Sequence, residues 1–258
     1  MNRILFSPDE IRANGTVDLN DFRAEHIRQV LRARVGQSIK TGTLNSLCGT
    51  SDILALDDAH VVLRPSHTDC ADAPWFDLIL AAPRPKVLKR LWPQLSAWGA
   101  RRIVILNAFK VEKCYFSSQW LDPEQFTPLL IEGLMQAGTT HLPEVTIAPR
   151  FKPFLEDQLD TLCPSRLRLL AHPEENAESP LCADVATDIP VIAVGPEGGW
   201  TPYEYGCLQQ RGFRAFSLGA RTLRTDTACI ALIAVLNYAR SQAQAMQKGP
   251  AMRGSETP

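Results

Sequence analysis

Three short segments in the second half of this chain combine residue types suited to ligand binding or catalysis. The first, Leu170-Ala171-His172-Pro173, closes an apolar run with a titratable ring and a proline. The second, Gly195-Pro196-Glu197-Gly198-Gly199, follows the apolar run Val191–Val194. The third runs from Ser217 to Ala228 as SLGARTLRTDTA. Glycines such as Gly195, Gly198 and Gly199 take conformations closed to other residues and let backbone approach a ligand closely. A strand that ends in glycines and opens a helix is the usual setting of a nucleotide loop. This loop, however, carries an acid, Glu197, lacks a lysine, and fits neither G-x-G-x-x-G nor G-x-x-x-x-G-K-[ST]. Glu197 would repel a phosphate, so a neutral or cationic ligand is expected. Thr201 and Glu204 have the spacing of a capping box, with Pro202 at the first helical position. In the third segment, Leu218, Gly219 and Leu223 are expected against the ligand, with Arg221 and Arg224 close by. Arg224 lies between an apolar residue and a helix start, where it can present a fixed charge to a developing anion. Asp226 and Thr227 suit either the cap of the last helix or a catalytic role.

The elements that must position these segments can be read from periodicity. From about residue 74 the pattern alternates strand and helix: WFDLILAAP, KVLKRLWPQLSAWG, RRIVILNA, PEQFTPLLIEGLMQAG, EVTIA, FKPFLEDQLDTL, RLRLLAHP, IPVIAVG, PYEYGCLQQRG, FRAFSLG, and a long last helix. Pro93 is expected to end or kink the first of these helices. Repeated β-α units imply a mainly parallel sheet covered on both faces, with ligands outside the carboxyl ends of its strands. All three segments then share one edge. Residues 1–70 read instead as short strands punctuated by glycines, a small β-barrel with one helix over DLNDFRAEHIRQVLRAR. In that helix Phe22, Ile27, Val30 and Leu31 share a face, and Asp18 or Asn20 is the expected cap. The polar stretch Ser66–Trp75 is the expected boundary. The expected domains are thus 1–70 and 74–246, followed by a disordered tail over 247–258.

Composition narrows the class. Apolar content of 45% and charged content of 21% in 258 residues suit a globular protein with a sizeable core. No apolar run is long enough for a bilayer, and the first residues lack a signal-type apolar stretch, so a cytoplasmic location without membrane contact is expected. Seven dispersed cysteines without C-x-x-C fit a reducing compartment, and no histidine or cysteine pair has metal-ligand spacing. The net charge of −1 does not advertise nucleic acid. The local distribution does more. Arg23, Arg28, Arg32 and Arg34 cluster near the expected barrel helix, Arg84 and Lys86 follow a strand, and Arg211, Arg214, Arg221 and Arg224 form a third group without acids. Together they are candidates for an RNA-facing surface.

VGPEGGWTPYE followed by GFRAFSLGARTLRTDTACIALIAVLNY resembles the RsmE family of SPOUT-superfamily RNA methyltransferases. The similarity extends to HIRQVLRARVGQ in the barrel, the LAHP turn and the last helix. The resemblance implies a trefoil-knotted parallel α/β domain preceded by a small PUA/OB-like barrel. It also implies S-adenosyl-L-methionine as cofactor, no metal, a homodimer, and methylation of N3 of a uridine in small-subunit (16S) ribosomal RNA. By position, Leu170, His172 and Pro173 form one cofactor loop, Gly195, Glu197, Gly198 and Gly199 a second, and Leu218, Gly219 and Leu223 a third. Arg224 and Asp226 are the implied catalytic pair. The chain departs from the family's Gln-Ser-x-Arg at Gln136-Ala137-Gly138-Thr139 and carries Asp226 where a glutamate is usual.

The chemistry expected of such a site is positioning of the base, stabilisation by Arg224 of charge spread over the uracil oxygens, and removal of the N3 proton by Asp226 or Glu197. His172 is expected to shape the cofactor turn. Other readings are a ribose 2′-O or different base methyltransferase, and an RNA-binding assembly factor without catalysis. A Rossmann dehydrogenase lacks its glycine fingerprint here.

Overall fold

A computed structural model of the chain describes residues 1–173, 185 and 188–247. Most of the expected tail therefore lies outside the described residues, as does the continuation of the first segment beyond Pro173. The chain forms two compact units: Met1–Pro74 with Lys89–Arg101 and Asp122–Glu144, and Trp75–Leu88 with Arg102–Leu121 and Val145 onward.

In the first unit, β1 (Ile4–Phe6), β2 (Val17–Leu19), β3 (Ser38–Thr43), β4 (Cys48–Leu56) and β5 (Val61–Asp69) form one curled sheet in the order β1-β3-β4-β5-β2. The β1–β3 pair is parallel and the others are antiparallel. Ile4, Phe6, Val17, Leu19, Ile53 and Leu63 alternate inward and fill its interior. β5 runs further than its apolar residues suggest. Ser66 and His67, expected in a linker, pair with Thr50 and Gly49 of β4. The reason is a polar contact: the two ring nitrogens of His67 meet the hydroxyls of Thr41 and Thr43, and the ring stacks on Phe6.

The barrel helix also differs from expectation. Val17–Leu19 is strand, and the cap is Asp21, which accepts from the Arg23 N–H. α1 (Phe22–Glu25) then widens into a π-helical turn over His26–Val30, with Leu31 N–H donating to the His26 carbonyl. The extra residue per turn slips the helical phase. Ala24 and Ile27 stay buried, while Phe22, Val30 and Leu31 are exposed.

α2 (Pro85–Ala97) runs through Pro93 without ending. α3 (Pro123–Ala137) is capped by Asp122 and stopped by Gly138 in the left-handed region (φ 78°). A side chain at Gly133 would meet the Pro93 carbonyl at 2.0 Å, so this glycine lets the two helices touch at the proline. Ser96 donates to the Leu130 carbonyl across the same contact.

The six-stranded sheet comprises β6 (Phe76–Ala81), β7 (Ala100–Leu106), β8 (Glu144–Ala148), β9 (Arg168–Ala171), β10 (Val191–Val194) and β11 (Arg214–Phe216), ordered β11-β9-β10-β6-β7-β8. The pairs β11–β9, β9–β10 and β10–β6 are parallel. Every residue of β6 and β10 is buried, as strands covered on both faces require. The remaining helical elements are α4 (Phe151–Pro153), a π-helical stretch Phe154–Gln158, α5 (Leu159–Leu162), α6 (Pro202–Gln210) and α7 (Thr225–Gln247). Because β6, β9, β10 and β11 run the same way, the loops starting at Ala82, His172, Gly195 and Ser217 emerge at one edge.

Candidate active site

The glycine loop is braced at three points. Gly199 N–H donates to the Pro196 carbonyl at 2.8 Å, and Gly199 sits at φ 69°, which a side chain would strain. The Lys110 ammonium donates to the Gly198 carbonyl at 2.7 Å. Glu197 accepts from the Arg84 N–H at 3.4 Å, linking the loop after β6 to the loop after β10. Behind the loop the expected capping box is formed, with Thr201 and Glu204 exchanging hydrogen bonds. Glu204 does more than cap: its second oxygen accepts from the Phe109 N–H at 2.7 Å, fixing the loop after β7.

The two neighbouring loops meet each other as well. His172 N–H donates to the Phe216 carbonyl, and its ring packs at 4.6 Å on Tyr205 of α6. Gly219 stands at φ 110°, where its N–H donates to the Ser217 hydroxyl and its carbonyl accepts from it. α7 begins at Thr225, two residues earlier than a cap at Asp226 requires, and the Arg224 carbonyl accepts the Ala228 N–H. Asp226 therefore lies in the first turn, where its negative charge favours the helix dipole. It faces Thr227 N–H at 3.0 Å. One turn on, burial and then the Asp226 charge push the Cys229 thiol up to about 12, which makes it useless as a nucleophile.

These loops enclose a cleft with about 740 Å³ of empty space, including the part open to solvent. Of the expected residues, His172, Pro173, Gly195, Glu197, Gly199, Leu218, Gly219 and Leu223 line it. Four others lie outside the lining. Leu170 is wholly buried inside β9, and Ala171 takes its place in the lining. Gly198 points away: a side chain there would meet the Lys110 stem at 2.9 Å. Neither Arg224 nor Asp226 belongs to the lining, although Leu223 and Thr225 on either side of Arg224 do. Arg224 is exposed beside the rim.

The role of Gly195 is also more specific than ligand approach. A Cβ there would lie 3.1 Å from Nε1 of Trp200, so the glycine makes room for the indole. Trp200 lines the cleft with a buried, unpartnered Nε1, and its place was not evident from the sequence. A tryptophan directly after a glycine loop was the available signal. The lining suits a molecule with both an apolar and a cationic part. It pairs apolar Leu218, Leu223, Leu232 and Pro196 with Glu197, the acid of the lining among the described residues. Arg221 brings one cation to the same lining, so the wall offers one charge of each sign.

The expected basic residues separate into two groups. Arg23 is sequestered: its guanidinium binds Glu10, Asp21 and the Leu5 carbonyl, with 12% of the side chain exposed. Burial raises the Glu10 carboxyl, but hydrogen bonds from Arg23 and the Ser7 N–H outweigh it and hold it below its usual value. Arg23 is thus corrected from surface contact to barrel brace. Arg28 is half-buried, with Nη1 enclosed and unpartnered. Arg32, Arg34, Arg84 and Lys86 are exposed, and Arg84 adjoins the cleft through its contact with Glu197.

Residues 71–237 match the family described as RNA methyltransferase domain. The chain is 32% identical to the ribosomal RNA small subunit methyltransferase E of Treponema pallidum over 92% of its own length and 90% of the relative's. It is 28% identical to ribosomal RNA small subunit methyltransferase E 1 of Borreliella burgdorferi over 90% and 95% of the two chains. A crystal structure of the methyltransferase E of Neisseria gonorrhoeae, bound to S-adenosyl methionine, superposes with a TM-score of 0.73 at 23% identity, covering 92% of this chain and 97% of that one. That likeness in fold agrees with the curled sheet and the parallel α/β sheet described above. The chain belongs to the RNA methyltransferase family of the ribosomal RNA small subunit methyltransferases E.

Proposed function

We propose that this protein methylates ribosomal RNA of the small subunit at N3 of a uridine, using S-adenosyl-L-methionine, in the cytoplasm and as a homodimer. The observation that carries this reading is the cleft at the four-strand edge, with Glu197, Arg221 and Trp200 in its wall. When bound, S-adenosylmethionine supplies a methyl group made electrophilic by its sulfonium. The Trp200 indole N–H, Glu197 and the backbone of Gly195, Pro196 and Gly199 are the groups available to hold it.

The chain's own residues then have to orient the base and manage one proton. Arg224, exposed beside the rim, stabilises negative charge on the uracil oxygens as N3 loses its proton. Glu197, which lines the cleft where Asp226 does not, accepts that proton, directly or through water. Asp226 supports the start of α7, and His172, packed on Tyr205, shapes its loop. Arg32, Arg34, Arg84 and Lys86 contact RNA phosphates, whose attraction is sequence-independent and salt-sensitive.

The test is to incubate the protein with labelled S-adenosylmethionine and small ribosomal subunits from a strain lacking it, then to identify the modified nucleoside. Labelled 3-methyluridine is expected. A ribose 2′-O-methyl product or unlabelled RNA refutes the assignment. Arg224→Ala should abolish transfer while cofactor affinity on calorimetry is retained; full activity removes Arg224 from the mechanism.

A further inference from the structure

A second concavity lies outside the cleft, among the loop after β7, the loop after β8 and the start of α6. It encloses about 1250 Å³ of empty space, including the part open to solvent. Three aromatic rings line it, Phe109, Phe151 and Tyr203, together with three cations, Lys113, Arg150 and Lys152. None of these residues belongs to the basic clusters singled out by sequence.

Two features set it apart from an ordinary surface. Phe109 is 84% exposed and Tyr203 60% exposed, yet both sit on tied-down backbone. Phe109 N–H is held by the buried Glu204, and Tyr203 occupies the first turn of the capped α6. An ordered loop that keeps a phenyl ring in water forgoes the free energy of burying it. The acids in reach are largely committed. Both Glu204 oxygens are taken by Thr201 and Phe109, and Glu156 stands 3.6 Å from Lys152; Glu112 adjoins Lys113 in sequence. Glu156 thus offsets Lys152, and Lys113 and Arg150 are the further cations of the lining.

The groove shares a wall with the cleft. Trp200 lines the cleft, and its ring lies 6.2 Å from that of Phe151 in the groove, tilted by 50°. Lys110, next to Phe109, holds the Gly198 carbonyl. The Phe151 and Trp200 rings are what stands between an occupant of the groove and an occupant of the cleft.

We propose that this groove binds single-stranded RNA next to the target nucleotide, stacking one base against Phe109 and Tyr203 while Lys113, Arg150 and Lys152 take the phosphates. The pairing of exposed rings with cations is the chemistry that single-stranded nucleic acid recognition requires. This inference rests on the reading of the cleft as a methyl-transfer site on RNA. It adds a contact that fixes which sequence context reaches the cleft, since a base must leave its stack to be modified.

The test uses the full chain and a fluorescein-labelled single-stranded decauridine, with binding read by anisotropy across a salt series and cofactor affinity read separately by calorimetry. Phe109→Ala, combined with Tyr203→Ala, should weaken RNA binding on the order of tenfold or more. Arg150→Ala with Lys152→Ala should reduce the salt slope by about 1.4. S-adenosylmethionine affinity should stay as in the wild type in both variants. Unchanged RNA affinity and unchanged salt slope overturn the proposal. So does a shift from dimer to monomer on sedimentation with RNA affinity intact, which would make the groove an interface between copies. A wild-type protein that binds the oligonucleotide through this groove but not S-adenosylmethionine refutes the reading of the cleft and leaves the groove standing.

Discussion

Replacing Glu204 should destabilise the protein more than any other single change behind the cleft. Its carboxylate is 3% exposed and accepts three hydrogen bonds: from Thr201 N–H at 2.9 Å, from the Thr201 hydroxyl at 2.8 Å and from Phe109 N–H at 2.7 Å. Hydrogen bonds to a charged group contribute about 1.5–3 kcal/mol each, and loss of a cap costs about 1 kcal/mol. In Glu204→Ala, water can reach the exposed Phe109 loop and recover part of this, and the cost of burying a charge disappears. The net loss should be about 3 kcal/mol, or about 6–12 °C in melting temperature for a chain of this size. Glu204→Gln is no rescue. The two oxygens face donors on opposite sides, so an amide must set its NH2 against one of them, and a loss of about 2 kcal/mol is expected. Thr201→Ala, which keeps the Phe109 bond, should lose only about 1 kcal/mol. The assay is urea unfolding followed by circular dichroism, with cofactor affinity measured in parallel. A Glu204→Ala loss below about 1 kcal/mol, or a glutamine variant as stable as wild type, would refute the double role.

Three further changes probe other parts of the argument. Gly195→Ala places a methyl group 3.1 Å from the Trp200 indole and should shift tryptophan fluorescence and weaken cofactor binding, whereas Gly198→Ala meets only the flexible Lys110 stem and should leave affinity unchanged; equal effects would contradict the assigned contacts. Arg23→Ala should cost about 2 kcal/mol, because it strands Glu10 and Asp21, while leaving the salt dependence of RNA binding as it was. A reduced salt slope would return Arg23 to the RNA surface. Burial, and then the charge of Arg3, hold His67 below its ordinary pKa of 6.5, so its contribution is fully present above pH 6.5 and is lost as pH falls through the lowered folded value. Stability should therefore decline as pH falls below about 6.5, and His67→Asn should flatten that decline; an equally steep profile in the variant would exclude His67 as its source. His26, lowered first by burial and then by the N-terminal charge, adds in the same direction.

Local signals carried much of the fold. The buried run Val191–Val194, the T-x-x-E box at Thr201 and the long apolar repeat of α7 are properties of neighbouring residues, and each formed as the pattern implied. The barrel helix differs from its pattern at the start because Val17–Leu19 pairs with β5, and at the end because i→i+5 bonding moves the phase, and periodicity reveals neither. The polar strand Ser66–Asp69 was missed because its reason is His67 meeting Thr41 and Thr43, more than twenty residues away.

The candidate site divides the same way. Residue types and spacing placed three loops, one with a histidine, one rich in glycine and one with arginines, at one sheet edge, since strand direction follows from β-α alternation, and an acid in a glycine loop already spoke against phosphate. Which side chains face the cleft was a different matter. Gly195 serves Trp200, Gly198 serves Lys110, Leu170 turns into the sheet, and Arg23 is consumed by Glu10 and Asp21. Sequence determined which residues stand at the edge, because that depends on spacing along the chain. Only the tertiary structure decided which way each one points and what it spends its charge on, because that depends on partners brought together by packing.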